Sequence, residues 1–247
     1  MSVAKSRVMG VGFAKVTLRE AVDEAVSKIK KRQTFWIITA NPETIMLKRK
    51  DNHLESALSK ADMVVADGIG IVWAAKILGE YLPGRIPGID LARLLLQQAG
   101  REGWRVYFLG GKPGVAKEAA KKMKEIIPGL SIAGVRHGYF TEQEEEEIIG
   151  EIIETNTDLL LVGMGMPRQE KWILNNIDQL SGKTVLGIGG SLDVFSGKVK
   201  RAPELFQRLN LEWLYRICSQ PARLSRAVLL PLFVLEVAFQ ALRRKHK

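Results

Sequence analysis

Asp67 is the carboxylate best placed to do chemistry in this chain. It directly follows a short apolar run, Met63–Ala66, and stands beside Gly68 and Gly70. A carboxylate in that position can take the proton of an attacking hydroxyl. It can equally cap the helix that the residues from Ile69 to Leu78 predict. The residues alone leave both roles open. Glycine loops follow other apolar runs: Gly110-Gly111-Lys112-Pro113-Gly114, then Gly163-Met164-Gly165-Met166-Pro167-Arg168-Gln169-Glu170, then Gly189-Gly190-Ser191-Leu192-Asp193. At Gly110, Gly111, Gly163, Gly165 and Gly189 the missing side chain lets backbone N–H groups approach a phosphate, and a helix start adds positive potential. A tight turn with no ligand explains any one loop. Several on one sheet edge favour a nucleotide pocket. Neither GxxxxGK[ST] nor GxGxxG occurs.

A leaving phosphate needs a counter-charge. No Asp-x-Asp motif is present, and His53, His137 and His246 have no ligand spacing. Neither a metal nor another cofactor is expected, so cationic side chains must neutralise the charge. Arg85, in a loop ordered by Pro83 and Pro87, is one candidate; Arg216, Arg223 and Arg226 in the tail are others. Each, taken alone, reads equally as a solvated surface arginine.

These groups need a scaffold that gathers strand ends. The runs 35–40 (FWIITA), 63–66 (MVVA), 106–109 (VYFL), 159–162 (LLLV) and 184–188 (TVLGI) are almost wholly apolar, and 132–135 is a weaker sixth. Such runs predict parallel strands covered on both faces. Between them, residues 21–29, 91–99, 115–127 and 142–153 carry apolar residues at helical spacing, and Thr141 with Glu144 makes a capping box. The alternation predicts an α/β fold: a doubly wound, mostly parallel sheet with helices on both faces. Ligands bind beyond the carboxyl ends of such strands, which is where Asn41 and Asp67 fall, with Thr39 near the end of its run.

The 247 residues suit a catalytic α/β domain over 1–195 and a helical appendage over 196–247. The net charge of +10 is concentrated in that appendage, which holds eleven Lys or Arg against three Glu, a net of +8. Leu205, Leu209, Trp213, Leu214 and Ile217 predict one amphipathic helix. Pro221 is expected to start a second, which Pro231 kinks. The apolar stretch 227–242 has sixteen residues and contains Pro231, Glu236 and Gln240. A membrane span needs about twenty, so an interfacial helix with basic flanks on an anionic membrane is expected. A helix packed on the domain is the plainer alternative. An apolar tail without a membrane has a further outlet in a homo-oligomer. Nucleic acid is not an expected partner, because Phe206, Trp213, Tyr215, Phe233 and Phe239 sit among leucines rather than between charges. The single cysteine, Cys218, excludes an internal disulfide and any multi-cysteine zinc site. The N-terminus, MSVAKSRVMG, has no apolar core of signal-peptide length.

The motifs resemble those of the WecG/TagA/CpsF family of glycosyltransferases. The residues concerned are Thr39 to Glu43, Asp67 to Gly70, Arg85 to Asp90 (RIPGID), Gly138 to Phe140, Gly163 to Ile173 (GMGMPRQEKWI), Gly187 to Asp193 (GIGGSLD), Gly197 to Pro203 (GKVKRAP), and Leu211 to Arg216 (LEWLYR) with Pro221 and Arg223. The resemblance implies a metal-independent, inverting enzyme at the cytoplasmic face of the bacterial membrane. Its donor would be a UDP-sugar and its acceptor undecaprenyl-diphosphate-linked N-acetylglucosamine, as in teichoic acid synthesis. N-Acetylmannosamine is the implied sugar; N-acetylmannosaminuronic acid or glucose are alternatives, since Met164 and Met166 occupy loop positions that vary among relatives. The resemblance also implies that Asp67 is the base, and that Thr39, Asn41, Arg85 and Gln169 are pocket residues tied to activity. It places Arg216, Arg223 and Arg226 on an appendage that closes over the site and contacts the diphosphate. A membrane-tethered nucleotide-binding module without catalysis is the competing class.

Overall fold

The computed structural model describes residues 3–219 and 228–245. Six parallel strands form one sheet: β3 (Phe35–Ala40), β4 (Met63–Ala66), β5 (Arg105–Gly110), β6 (Ser131–Arg136), β7 (Leu159–Gly163) and β8 (Thr184–Gly187). Their order is β4–β3–β8–β7–β5–β6. All six lie where the apolar runs predict. The reason the runs are continuous is visible in the packing. Phe35 and Ile37 enter the core on one face of the sheet, and Trp36 and Ile38 enter the core on the other. Leu159 and Leu161 alternate with Leu160 and Val162 in the same way. A strand buried on both faces has no position left for a polar residue.

One core lies under helices α1 (Leu18–Lys30), α5 (Gly88–Glu102), α6 (Val115–Ile126) and the short α9 (Ser191–Phe195). The other lies under α3 (Asn52–Lys60), α4 (Ile69–Ile77), α7 (Glu142–Glu154) and α8 (Arg168–Asn176). Thr141 and Glu144 form the expected capping box at the start of α7, with Glu144 N–H donating to Thr141 Oγ1 at 3.3 Å and Thr141 N–H to Glu144 Oε2 at 2.8 Å.

An N-terminal hairpin is not foreshadowed by the apolar runs. Strands β1 (Lys5–Val8) and β2 (Val11–Ala14) pair antiparallel across Met9 and Gly10, both at positive φ (50° and 81°). That two-residue loop matches the twist of a hairpin. Its strands are only four residues each, too short for a clear period. Val8 and Phe13 are wholly buried against the second core.

The tail departs from expectation in two ways. One helix over 205–217 is expected, and two short ones are found: α10 (Glu204–Arg208) and α11 (Glu212–Ser219). Asn210 lies between them at φ 59°, a left-handed conformation that asparagine tolerates. Pro231 does not kink the last helix, α12 (Leu229–Lys245), but falls in its first turn, where no N–H is owed to a preceding carbonyl. Pro221 lies outside the described residues.

Helix α12 docks on α2 (Pro42–Leu47) and α4 through Phe233 and Val237, each only 3% exposed. Glu236 pairs with Arg49 at 2.6 Å. On the outer side Leu235, Phe239 and Leu242 stay more than half exposed. The packed helix and the apolar outer face therefore coexist. Among the described residues no helix is long and apolar enough to cross a membrane.

Candidate active site

The strand order makes β3 and β8 neighbours although β3 leads onward to β4 on its other side. Such a switch opens a crevice beyond the strand ends. Register places the next residues. Ala40 stands opposite Ala66, so Asn41 and Asp67 leave the sheet side by side. Parallel strands lie about 4.8 Å apart. Asp67 N–H donates to Ala40 O at 2.9 Å, extending the ladder by one bond. The N-cap position of α4 is Gly68, at φ 157°, so Asp67 stands one residue outside the cap. A Cβ on Gly70 would come 2.8 Å from Pro42 Cγ. Only glycine lets the starts of α2 and α4 approach so closely, and that approach keeps Asp67 and Asn41 together.

Asn41 caps α2. Its Oδ1 accepts from Thr44 N–H at 3.0 Å and from Thr44 Oγ1 at 3.1 Å. With the oxygen engaged, what Asn41 can offer a ligand is its Nδ2 amide. Thr39 Oγ1 donates to Gly187 O at 3.2 Å, which ties β3 to the end of β8. Arg85 reaches the same crevice because Ile86 N–H donates to Ala66 O at 2.7 Å, pinning the loop beside Asp67. Its guanidinium donates to the Gln207 carbonyl at 2.8 Å and lies 3.5 Å from Glu212 Oε2.

Gln169 is 5% exposed and is clamped at both ends. Its Oε1 accepts Gly189 N–H at 3.0 Å, and its Nε2 donates to Glu170 Oε1 at 2.7 Å. Both residues begin α8, and the Met166–Pro167 peptide before it is cis. Glu170 is 3% exposed, and its Oε2 has no hydrogen-bond partner among the described residues. Burial raises its pKa from the ordinary 4.5 to about 6; the Gln169 amide and a backbone N–H oppose this, and the Asp51 carboxylate adds to it. The folded protein thus binds this proton more tightly than the unfolded chain does. The contribution is full below pH 4.5 and is lost as pH rises through 6. Glu170→Gln should therefore remove a slope of about 2 kcal/mol between roughly pH 4.5 and 7. Urea melts of both proteins across that range check it; parallel stability curves would show that Glu170 does not titrate there.

Thr39, Asn41, Asp67, Arg85, Gln169, Gly165 and Gly189 meet around one cavity of about 720 Å³. Gly110, Gly111, Gly163 and Asp193 do not line it. Gly110 instead pairs with Gly163 across β5 and β7, where an added Cβ would lie 2.4 Å from the Gly163 carbonyl. Gly111 N–H donates to Gly163 O at 2.9 Å. These glycines serve close strand approach in the structure described. Arg216 belongs to α11; its side chain, together with Arg223 and Arg226, lies outside the described residues. The cavity also has walls that were not among the candidate residues: Glu170 from the segment 163–173, Glu212 and Trp213 from the segment 211–216, Trp73 of α4, and Phe233 and Val237 of α12. Glu170 could have been found from its place beside Gln169, and Glu212 and Trp213 from the motif segment that holds them; nothing local marks Trp73, Phe233 or Val237 as pocket residues. Among the described residues no three His, Cys, Asp or Glu side chains are grouped as metal ligands would be.

The sequence model of the glycosyl transferase WecG/TagA/CpsF family matches residues 6–247. The chain belongs to this family. It is 39% identical over 202 residues to the N-acetylglucosaminyldiphosphoundecaprenol N-acetyl-beta-D-mannosaminyltransferase of Bacillus spizizenii, covering 82% of this chain and 78% of that one. It is 34% identical over 239 residues to the protein of the same name from Staphylococcus aureus, covering 96% and 93%. Like other WecG/TagA/CpsF proteins, then, this chain is a glycosyltransferase. Such an enzyme must place an acceptor hydroxyl, a sugar and a leaving phosphate together, and the cavity at the β3–β8 switch has a carboxylate and a guanidinium on its walls.

Proposed function

We propose that this protein transfers N-acetylmannosamine from a UDP donor to undecaprenyl-diphosphate-linked N-acetylglucosamine, with inversion and without a metal. The observation that carries the reading is the convergence of Asp67, Thr39, Asn41, Arg85 and Gln169 on one cavity in a chain 34% identical to a transferase of that name over 96% of its length. Asp67 takes the proton of the acceptor hydroxyl as its oxygen bonds to the anomeric carbon. The bond from that carbon to the donor phosphate breaks, and UDP departs with the electron pair. Arg85 meets the charge that develops there. Asn41 and Thr39 orient sugar or phosphate, and Gln169 holds the Gly189 loop.

Residues 1–195 are read as the catalytic body and 196–247 as lid and membrane contact. The lining supports this division: Trp213, Ile217, Leu230, Phe233 and Val237, all from the tail, form one side of the cavity. The exposed side chains of Leu235, Phe239 and Leu242 next to Arg243 and Arg244 suit an anionic lipid surface on the cytoplasmic side. Arg216, Arg223 and Arg226 are proposed to hold the acceptor diphosphate once the lid is closed.

The test is UDP release from UDP-N-acetylmannosamine with a short-chain diphospholipid acceptor in the presence of EDTA. Release at an undiminished rate is expected. Release from another UDP-sugar alone would move the donor assignment, and none from any UDP-sugar would favour a nucleotide-binding module without catalysis.

A further inference from the structure

Three of the motif segments carry charges that the transfer reaction does not use, and the fold brings them together. Asp90 comes from the segment 85–90, Arg201 from 197–203 and Glu212 from 211–216. Arg201 grips Asp90 with two nitrogens, Nη1 to Oδ1 at 2.6 Å and Nη2 to Oδ2 at 2.8 Å. Its Nε lies 3.5 Å from Glu212 Oε1, and Glu212 Oε2 lies 3.5 Å from Arg85 Nη1. The four charges alternate in sign along a ladder that ends at the cavity wall. The Glu212 side chain is 9% exposed, and Arg201 and Arg85 are 19% and 20% exposed. At that depth charges interact more strongly than on the surface, and removing one leaves its neighbour costly.

The ladder joins distant parts of the chain. Asp90 lies in the first turn of α5 and Glu212 in the first turn of α11, both favourable places for a carboxylate. Arg85 belongs to the α/β body, yet the two groups that hold its guanidinium, Glu212 and the Gln207 carbonyl, belong to the tail. An arginine side chain left to itself samples many rotamers. Here its freedom is already spent before substrate arrives.

We propose that Glu212 is a positioning residue for Arg85, braced by Arg201 and Asp90, so that docking of α10 and α11 sets the cation facing the leaving diphosphate. The inference rests on the glycosyltransferase reading and adds to it how tail and site are coupled. Coupling of this kind is reciprocal: a diphosphate on Arg85 also favours the docked tail.

The test is a double-mutant cycle on the full chain with Glu212→Gln and Arg85→Lys, read by UDP release and by thermal melting. Glu212→Gln should lower kcat about tenfold with little change in KM, the signature of a group misplaced in the transition state. Glu212→Asp should restore part of the loss. On the Arg85→Lys background, Glu212→Gln should add nothing further. Wild-type kcat in Glu212→Gln, or losses that multiply in the double variant, overturns the proposal. Should Glu212→Gln fail to fold, Arg201→Lys takes its place; it keeps the charge beside Glu212 but loses the fork on Asp90, and its smaller loss must likewise vanish on the Arg85→Lys background. If wild type releases no UDP from any UDP-sugar, the transferase reading fails, and the same four proteins are titrated with UDP. The same non-additivity in affinity is then required, and independent effects refute the ladder.

Discussion

Asp67→Asn is expected to lower turnover about 10³-fold while leaving UDP affinity nearly intact, since a general base contributes on that order. The change is isosteric. It preserves the Asp67 N–H bond to the Ala40 carbonyl, the Gly68 turn and the approach of Gly70 to Pro42. What it removes is basicity at the one place where the sheet register sets a carboxylate beside Asn41 and the Arg85 loop. UDP release under saturating donor and calorimetric titration with UDP separate the two quantities. A variant turning over at the wild-type rate would remove Asp67 as base, and a variant that binds no UDP would assign it to the nucleotide instead. The melting temperature of the variant is the control for any loss of stability.

Deleting residues 196–247 is expected to lower turnover at least about 100-fold, the size of effect that a displacement of about 1 Å in a site can produce. The truncation removes Glu212 and Gln207, which hold Arg85, and Trp213, Phe233 and Val237, which wall the cavity. It also removes a net charge of +8. The truncated protein should therefore detach from anionic vesicles, and the full chain should detach as salt rises, because screening shortens the reach of exposed charges. Vesicle flotation and UDP release measure the two losses separately. Retained activity would sink the lid; retained vesicle binding would move the membrane contact to the body. The sheet should persist in the truncated chain, since both cores are built mainly from residues before 196, with Phe233 and Val237 as the tail's additions.

How far the chain could be read in advance follows from the range of the interactions involved. Five of the six strands were legible because burial on both faces forces an apolar run, and that is a property of adjacent residues; the edge strand β6 is only partly buried, which is why its run is the weakest. The α7 capping box was legible because Thr141 and Glu144 are three residues apart. Asp67 could be named because it stands just beyond an apolar run and Arg85 because it lies in a loop ordered by prolines; Thr39, Asn41 and Gln169 were tied to activity by the family resemblance of the segments that hold them. The hairpin at residues 5–14 was not legible, because four-residue strands carry too little period. The break at Asn210 was hidden for a similar reason, since the leucines on either side keep helical spacing through it.

Other features exist only in three dimensions. The glycines 110, 111 and 163 look like phosphate cradles along the chain, but β5 and β7 are neighbours, so these glycines are taken up by strand contact. Glu170 reads as an ordinary helical glutamate until the fold closes over it and lifts its pKa. The charge ladder spans Arg85 to Glu212, and nothing along the chain records that these side chains meet. Composition, strand pattern and residue type are written locally, because they depend on the backbone period and on transfer from water. Which carboxylate faces which cation, and whether a glycine meets a ligand or a neighbouring strand, depends on the order β4–β3–β8–β7–β5–β6 and on where the tail docks. Those are set by non-local packing, in which each contact depends on all the others being made.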